Sequence, residues 1–158
     1  MKVEKKIFIF ASIVTCILIL IYKNNINTKD NEMTSKMAES TLTLNNFSNI
    51  SMSLENLDNT KITVRINSSA NDSVIFGEDY IIEAKNGQKW YTLPINKDIM
   101  FTSIGYELKK GTSFLWSTDY DILYGKLSPG KYRMIKSFRV EPLQETPKDY
   151  FVSVEFTV

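Results

Sequence analysis

The chain contains no histidine and only one cysteine, Cys16, in 158 residues. Without histidine it lacks the usual proton shuttle, the commonest metal ligand and every Ser-His or Cys-His nucleophile arrangement. A lone cysteine excludes an intramolecular disulfide and a zinc site built from cysteines and histidines. Net charge is scarce as well: 19 basic and 18 acidic residues leave +1. Removing Lys2, Glu4, Lys5 and Lys6 takes away a net +2, so the remainder stands at about −1 and gives no electrostatic reason to expect nucleic acid or anionic lipid as a partner. No catalytic residue, metal ligand or cofactor is assigned.

One long apolar run is present. Ile7 to Tyr22 is sixteen residues without a charge, preceded by Lys2, Lys5 and Lys6 and closed by Lys23. As a helix it would cover about 24 Å, somewhat less than the roughly 30 Å hydrocarbon core. A cleaved signal peptide needs small residues just after the run, and Tyr22-Lys23-Asn24-Asn25-Ile26 supplies none. An uncleaved transmembrane signal anchor over 7–22 is the expectation, with tilt and snorkelling lysines covering the shortfall. Lysine bias then puts residues 1–6 in the cytoplasm and the C-terminal domain on the extracellular side. A lipidated Cys16 is the competing reading; Ile13-Val14-Thr15 before it lacks the small residue expected there, and apolar residues continue after it.

From Lys23 to Asn46 the composition turns to Asn, Thr, Ser, Lys and Asp, which reads as a polar linker. From Phe47 to Val158 the dominant period is two, with strand-like runs about every ten residues, so an all-β sandwich or barrel is predicted. Ile50, Met52 and Leu54 alternate with polar residues, as do Ile62, Val64 and Ile66, and the final strand runs from Tyr150 to Val158. Asn86-Gly87 is a type I′ hairpin signal. Trp90, on the arm after it, is expected between the sheets. Asp119 to Leu127 reads as a single helical turn, and Glu141 to Lys148, with Pro142 and Pro147, as an exposed loop.

Leu127-Ser128-Pro129-Gly130-Lys131-Tyr132 organises this layout. Pro129 presets a turn, Gly130 accepts the angles of a tight reversal, and Tyr132 opens the next strand. In Greek-key sandwiches a tyrosine so placed bonds the backbone a few residues upstream and pins the crossing between sheets. Tyr132 is therefore read as a tyrosine corner. After it, Lys136 falls on the core side of strict alternation, which implies a β-bulge near Ile135 or a lysine emerging at the rim, with a functional buried lysine as the alternative.

Trp90-Tyr91-Thr92-Leu93-Pro94, Ile104-Gly105-Tyr106, the string from Tyr124 to Arg133 and Lys136-Ser137-Phe138 together resemble a bacterial immunoglobulin-like domain found on membrane-anchored proteins and lipoproteins of Gram-positive bacteria. The resemblance runs from about Ser51 to Val158 and implies an immunoglobulin-like Greek-key β-sandwich outside the cell, with no catalytic residue to carry over. This chain departs from lipoprotein relatives in lacking a clean lipidation site.

The chemistry open to such a chain is limited to carboxylates. Asp119 with Asp121, and Glu78 with Asp79, are pairs that could serve glycoside hydrolysis or calcium, although no Asp-x-Asp-x-Asp-Gly pattern is present. Trp116, Tyr120 and Tyr124 could form an aromatic contact surface or cap the open end of the sandwich. The expected function is a non-enzymatic module anchored in the membrane through Ile7 to Tyr22 and binding an envelope protein or glycan. A carboxylate-only envelope hydrolase and a secreted or lipidated domain are the alternatives.

Overall fold

The computed structural model describes residues 14–22, 37–95, 99–141 and 148–158. The tail 1–6, the apolar residues 7–13, most of the linker and the loop residues 142–147 lie outside the described residues. The chain divides into two units, Met1–Met37 and Ala38–Val158. In the first, residues 14–22 are helical, and the apolar side chains from Ile17 to Tyr22 are all exposed. Among the described residues no helix is long and apolar enough to cross a membrane.

In the second unit the described residues form strands β1 (Ile50–Asp58), β2 (Lys61–Ser68), β3 (Val74–Phe76), β4 (Ile81–Asn86), β5 (Lys89–Thr92), β6 (Tyr106–Leu108), β7 (Ser113–Asp119), β8 (Lys131–Val140) and β9 (Tyr150–Thr157). A helical turn, Asp121–Tyr124, precedes β8, as the sequence predicts. One sheet has the order β1-β2-β7, all antiparallel. The other is built on β8, which pairs with β9 along one edge, while the opposite edge pairs with β4 through Tyr132 to Ile135 and with β3 through Arg139 and Val140. The chain crosses from β3 to β4 through residues 77–80, beside the middle of β8.

The period-two residues of the two sheets meet in the core. Ile62, Val64 and Ile66 from β2 face Ile82 from β4 and Met134 from β8, and all are essentially inaccessible. Each fully buried aliphatic side chain contributes about 1.5–3 kcal/mol of transfer free energy, so this row is what holds the layers together. Leu54 departs from its expected core position and is exposed. The register shifts between Leu54 and Asn56, and the phase of β1 is lost there.

Two further expectations are corrected. The β4–β5 hairpin forms, but Asn86 pairs with Lys89 as a strand residue, and the two-residue loop is Gly87-Gln88. Only Gly87 takes a positive φ, 59°, so the glycine stands first in the loop, as in a type II′ rather than a type I′ turn. The domain also begins earlier than Phe47. Ser40 N–H donates to the Trp90 carbonyl at 2.9 Å, Thr92 N–H donates to the Ala38 carbonyl at 3.0 Å, and Asn45 N–H donates to the Phe151 carbonyl at 2.8 Å. Residues 38–46 thus run as a strap from the β5 edge to the β9 edge, across the outer face of the larger sheet. Leu42 and Leu44 on it are half-buried, and Ile135, which alternation turns toward that face, is only 1 % exposed. The polar composition concealed a partial third layer.

Candidate functional site

The corner is assembled by short-range bonds. The Tyr132 hydroxyl donates to the Ser128 carbonyl at 2.7 Å, and its ring stacks on Phe156 at 5.7 Å. Gly130 exchanges two backbone hydrogen bonds with Val158, at 3.0 and 3.1 Å, tying the corner to the last strand. A Cβ on Gly130 would sit 3.5 Å from the Tyr132 ring, an ordinary van der Waals contact, and Gly130 is not among the glycines with positive φ, so the turn does not use the special backbone freedom the sequence reading expects of it. Pro129 is exposed at the turn.

Trp116, Tyr120 and Tyr124 do not form a contact surface. Trp116 and Tyr120 are buried. The Tyr120 hydroxyl donates to the Asn59 carbonyl at 2.5 Å, fastening the helical turn to the β1–β2 loop. The Tyr124 hydroxyl donates to the Tyr80 carbonyl at 3.0 Å and accepts from Ile82 N–H at 3.1 Å, fastening it to the start of β4. Burial holds the phenols of Tyr80, Tyr120 and Tyr124 above their ordinary pKa. A phenol buried by a backbone acceptor is an internal clamp, which is the capping role the sequence left open.

Lys136 is neither bulged nor at the rim. The β8–β9 register continues through it, paired with Val152, and the residue is 1 % exposed. Its ammonium donates to the Gly77 carbonyl at 2.6 Å, on the crossover from β3 to β4, and lies 3.8 Å from the centroid of the Trp116 ring, on the opposite sheet. The Trp116 indole N–H donates to Glu78 at 2.9 Å, and the Tyr106 hydroxyl donates to the other oxygen of the same carboxylate. The indole is therefore held between a cation on its face and an anion at its N–H edge. Polarisation by Glu78 enriches the ring that Lys136 sits on, so the two contacts reinforce each other. Burial pulls the Lys136 pKa down to about 8, with Asp79 and Glu78 acting in the opposite direction. The hydrogen bond to Glu78 raises the Tyr106 pKa.

A second buried charge lies on the outer face of the larger sheet. Glu83 is fully buried, and Arg133, directly across from it on β8, donates to it at 2.6 Å. Thr92 donates to the other Glu83 oxygen at 3.3 Å, while the Arg133 guanidinium reaches Ser40 of the strap at 3.3 Å. Trp90 belongs to this network and not to the space between the sheets. It is half-exposed on edge strand β5, with the Arg133 guanidinium 4.4 Å from its ring centroid and the Lys85 ammonium at 5.3 Å. The tryptophan of the core is Trp116. The sequence placed Arg133 on the wet face and did not single out Glu83; their cross-strand pairing was the missing signal.

Of the other candidate carboxylates, Asp119 and Asp79 accept local hydrogen bonds. Asp119 and Asp121 are both exposed, with Asp121 N–H donating to the Asp119 side chain at 3.3 Å as the chain enters the helical turn. Asp79 accepts from the Ser137 hydroxyl at 2.9 Å, at the wall of an open groove of about 470 Å3 that runs past Gly77, Ile104 and Gly105. Among the described residues no group of three or more acids, cysteines or histidines is placed to hold a metal ion.

Two antiparallel sheets packed face to face, with a corner tyrosine opening the strand that is central to the larger one, define a sandwich of the immunoglobulin class. The sequence model of the family described as bacterial Ig-like domain matches residues 45–157, and the chain belongs to that family. Among curated proteins none matches the chain.

Proposed function

We propose that this protein is a single-pass membrane protein of a Gram-positive envelope that presents one immunoglobulin-like domain outside the cell as a non-enzymatic binding module. The observation that carries the reading is how the ionisable groups inside the domain are used. Lys136, Glu78, Glu83 and Arg133 are each bonded to the scaffold, so the interior charge serves to hold strands together. A group that acts on a substrate must be free to meet it, and these four are engaged with the scaffold.

The anchor is supported by the sixteen-residue apolar run and by the exposure of every described apolar side chain of the helix from Ile17 to Tyr22. A helix apolar all round needs a nonpolar surrounding. Affinity capture from native membranes with the full chain, against a chain that keeps the leader and lacks residues 38–158, tests the module. A partner retained only by the full chain is the expected result; identical captures would remove the domain from any binding role.

A further inference from the structure

Among the described residues, every sheet edge but one is guarded. Residues 38–40 of the strap bond β5, Asn45 bonds β9, β6 is only three residues long, and β1 carries the register shift between Leu54 and Asn56. Covering segments, short strands and bulges are the usual ways of keeping an edge from pairing. β7 has none of them. It runs seven residues, Ser113–Asp119, in unbroken register with β2, and holds no proline and no lysine. Its backbone directions follow from its two ends: Ser68 N–H donates to the Thr112 carbonyl at 3.0 Å, and Tyr120 N–H donates to the Thr60 carbonyl at 2.9 Å. Backbone groups alternate sides along a strand, so the even-numbered residues bond β2 while Ser113, Leu115, Ser117 and Asp119 turn theirs outward. No described strand or loop pairs with that outward row.

We infer that β7 pairs with β7 of a second copy of this chain, antiparallel and about a two-fold axis, so that the two three-stranded sheets join into one. An open edge accepts any strand through its backbone; here the charges select the strand itself. Lys109 and Lys110 precede β7, Asp119 and Asp121 close it, and all four are exposed. Lys110 is bonded to the neutral Asn71 at 2.7 Å, so its charge is not compensated there. When the strand meets its own copy antiparallel, the basic start of each lies beside the acidic end of the other, and the match is made twice. The outward-bonding residues must pair with one another, and Leu115 is the one exposed apolar side chain among them, 52 % accessible between two serines of the same face. The axis therefore falls at Leu115, which packs against its copy while Ser113 stands opposite Ser117. In that register Asp119 of each copy lies opposite Gly111 of the other, one residue from Lys110.

The test uses the full chain in detergent, with the protein mass read by light scattering through a concentration series. Two chains per particle are expected at the concentrated end, falling to one on dilution. Leu115→Lys sets two ammoniums opposite each other at the axis and should stay at one chain throughout. A full chain that is single at every concentration overturns the inference, and so does a dimer that persists in Leu115→Lys, since its contact would lie elsewhere on the chain. Cross-linking reads the register without relying on that variant. In a Cys16→Ser background, Leu115→Cys should form a disulfide-linked dimer on mild oxidation, because directly opposed, bonded residues have Cα atoms about 5.5 Å apart, which a disulfide spans. Ser117→Cys should stay reduced, as its two copies lie about 14 Å apart along the strands. No cross-link at position 115 overturns the pairing, and equal cross-linking at both positions does so too, since it would report chance collision.

Discussion

The Lys136 ammonium lies 3.8 Å from the centre of the Trp116 ring, and that contact joins the two sheets in a protein that has no disulfide to do so. Burying a charge costs several kcal/mol unless its partners are good, and here the partners are a backbone carbonyl, an indole face and two nearby carboxylates. Its titration should be visible in the stability of the domain. The folded-state pKa is about 8 against an ordinary value of 10.5, so above pH 8 the unfolded chain binds more protons and stability rises. Between pH 8 and 9.5 the gain should be about 2 kcal/mol, at 1.36 kcal/mol per pKa unit. Urea midpoints should rise over that window and fall again once pH passes the ordinary tyrosine value of 10.0, because Tyr80, Tyr120 and Tyr124 stay protonated in the fold. Lys136→Met should flatten the rise; an unchanged slope in that variant would assign the effect elsewhere.

Glu83 and Arg133 should show the asymmetry of a buried ion pair. Glu83→Ala leaves a guanidinium that is only 14 % exposed without its anion, and should cost about 3–5 kcal/mol. The double variant Glu83→Ala with Arg133→Met should recover part of that loss. Denaturant melts of the two variants decide it, and a double variant worse than the single would mean that Arg133 supports the fold mainly by stacking on Trp90.

Tyr132→Phe removes a hydroxyl bonded to the Ser128 carbonyl at 2.7 Å and keeps the ring on Phe156. The expected loss is about 1 kcal/mol, with an unchanged urea m-value, because the shape of the corner is retained. A loss close to zero would mean that Ser128 finds water as readily as the phenol.

The strap sets where the domain begins. A chain starting at Phe47 lacks the bonds that Ala38, Ser40 and Asn45 make to β5 and β9, and it exposes Ile135. At about 1 kcal/mol for each hydrogen bond, it should be less stable than one starting at Ala38 by some 3 kcal/mol or more. Thermal melts of the two chains provide the comparison, and equal melting temperatures would return residues 38–46 to the linker.

Local chemistry made much of this fold legible. The alternation of Ile62, Val64 and Ile66, the turn at Ser128-Pro129-Gly130 and the tyrosine that follows it each act over a few residues, so their outcome is encoded where they stand. The hairpin was found as well, though its turn moved by one residue, because the pairing of Asn86 with Lys89 is set across the strands and not by the dipeptide. Trp90 and Trp116 exchanged roles for a similar reason. Which tryptophan enters the core depends on which strand is an edge, and strand order is a property of the whole sheet.

The sequence by itself determined the all-β class, the corner and the absence of imidazole and disulfide chemistry, since these follow from residue types and from a period of two. Only the tertiary structure decided the burial of Lys136 and Glu83 and the docking of the polar strap. A charge or a polar segment is tolerated inside only when specific partners meet it, and those partners, Gly77 and Trp116 for one, Arg133 for the other, and the β5 and β9 edges for the third, are brought together by long-range pairing that no local pattern records.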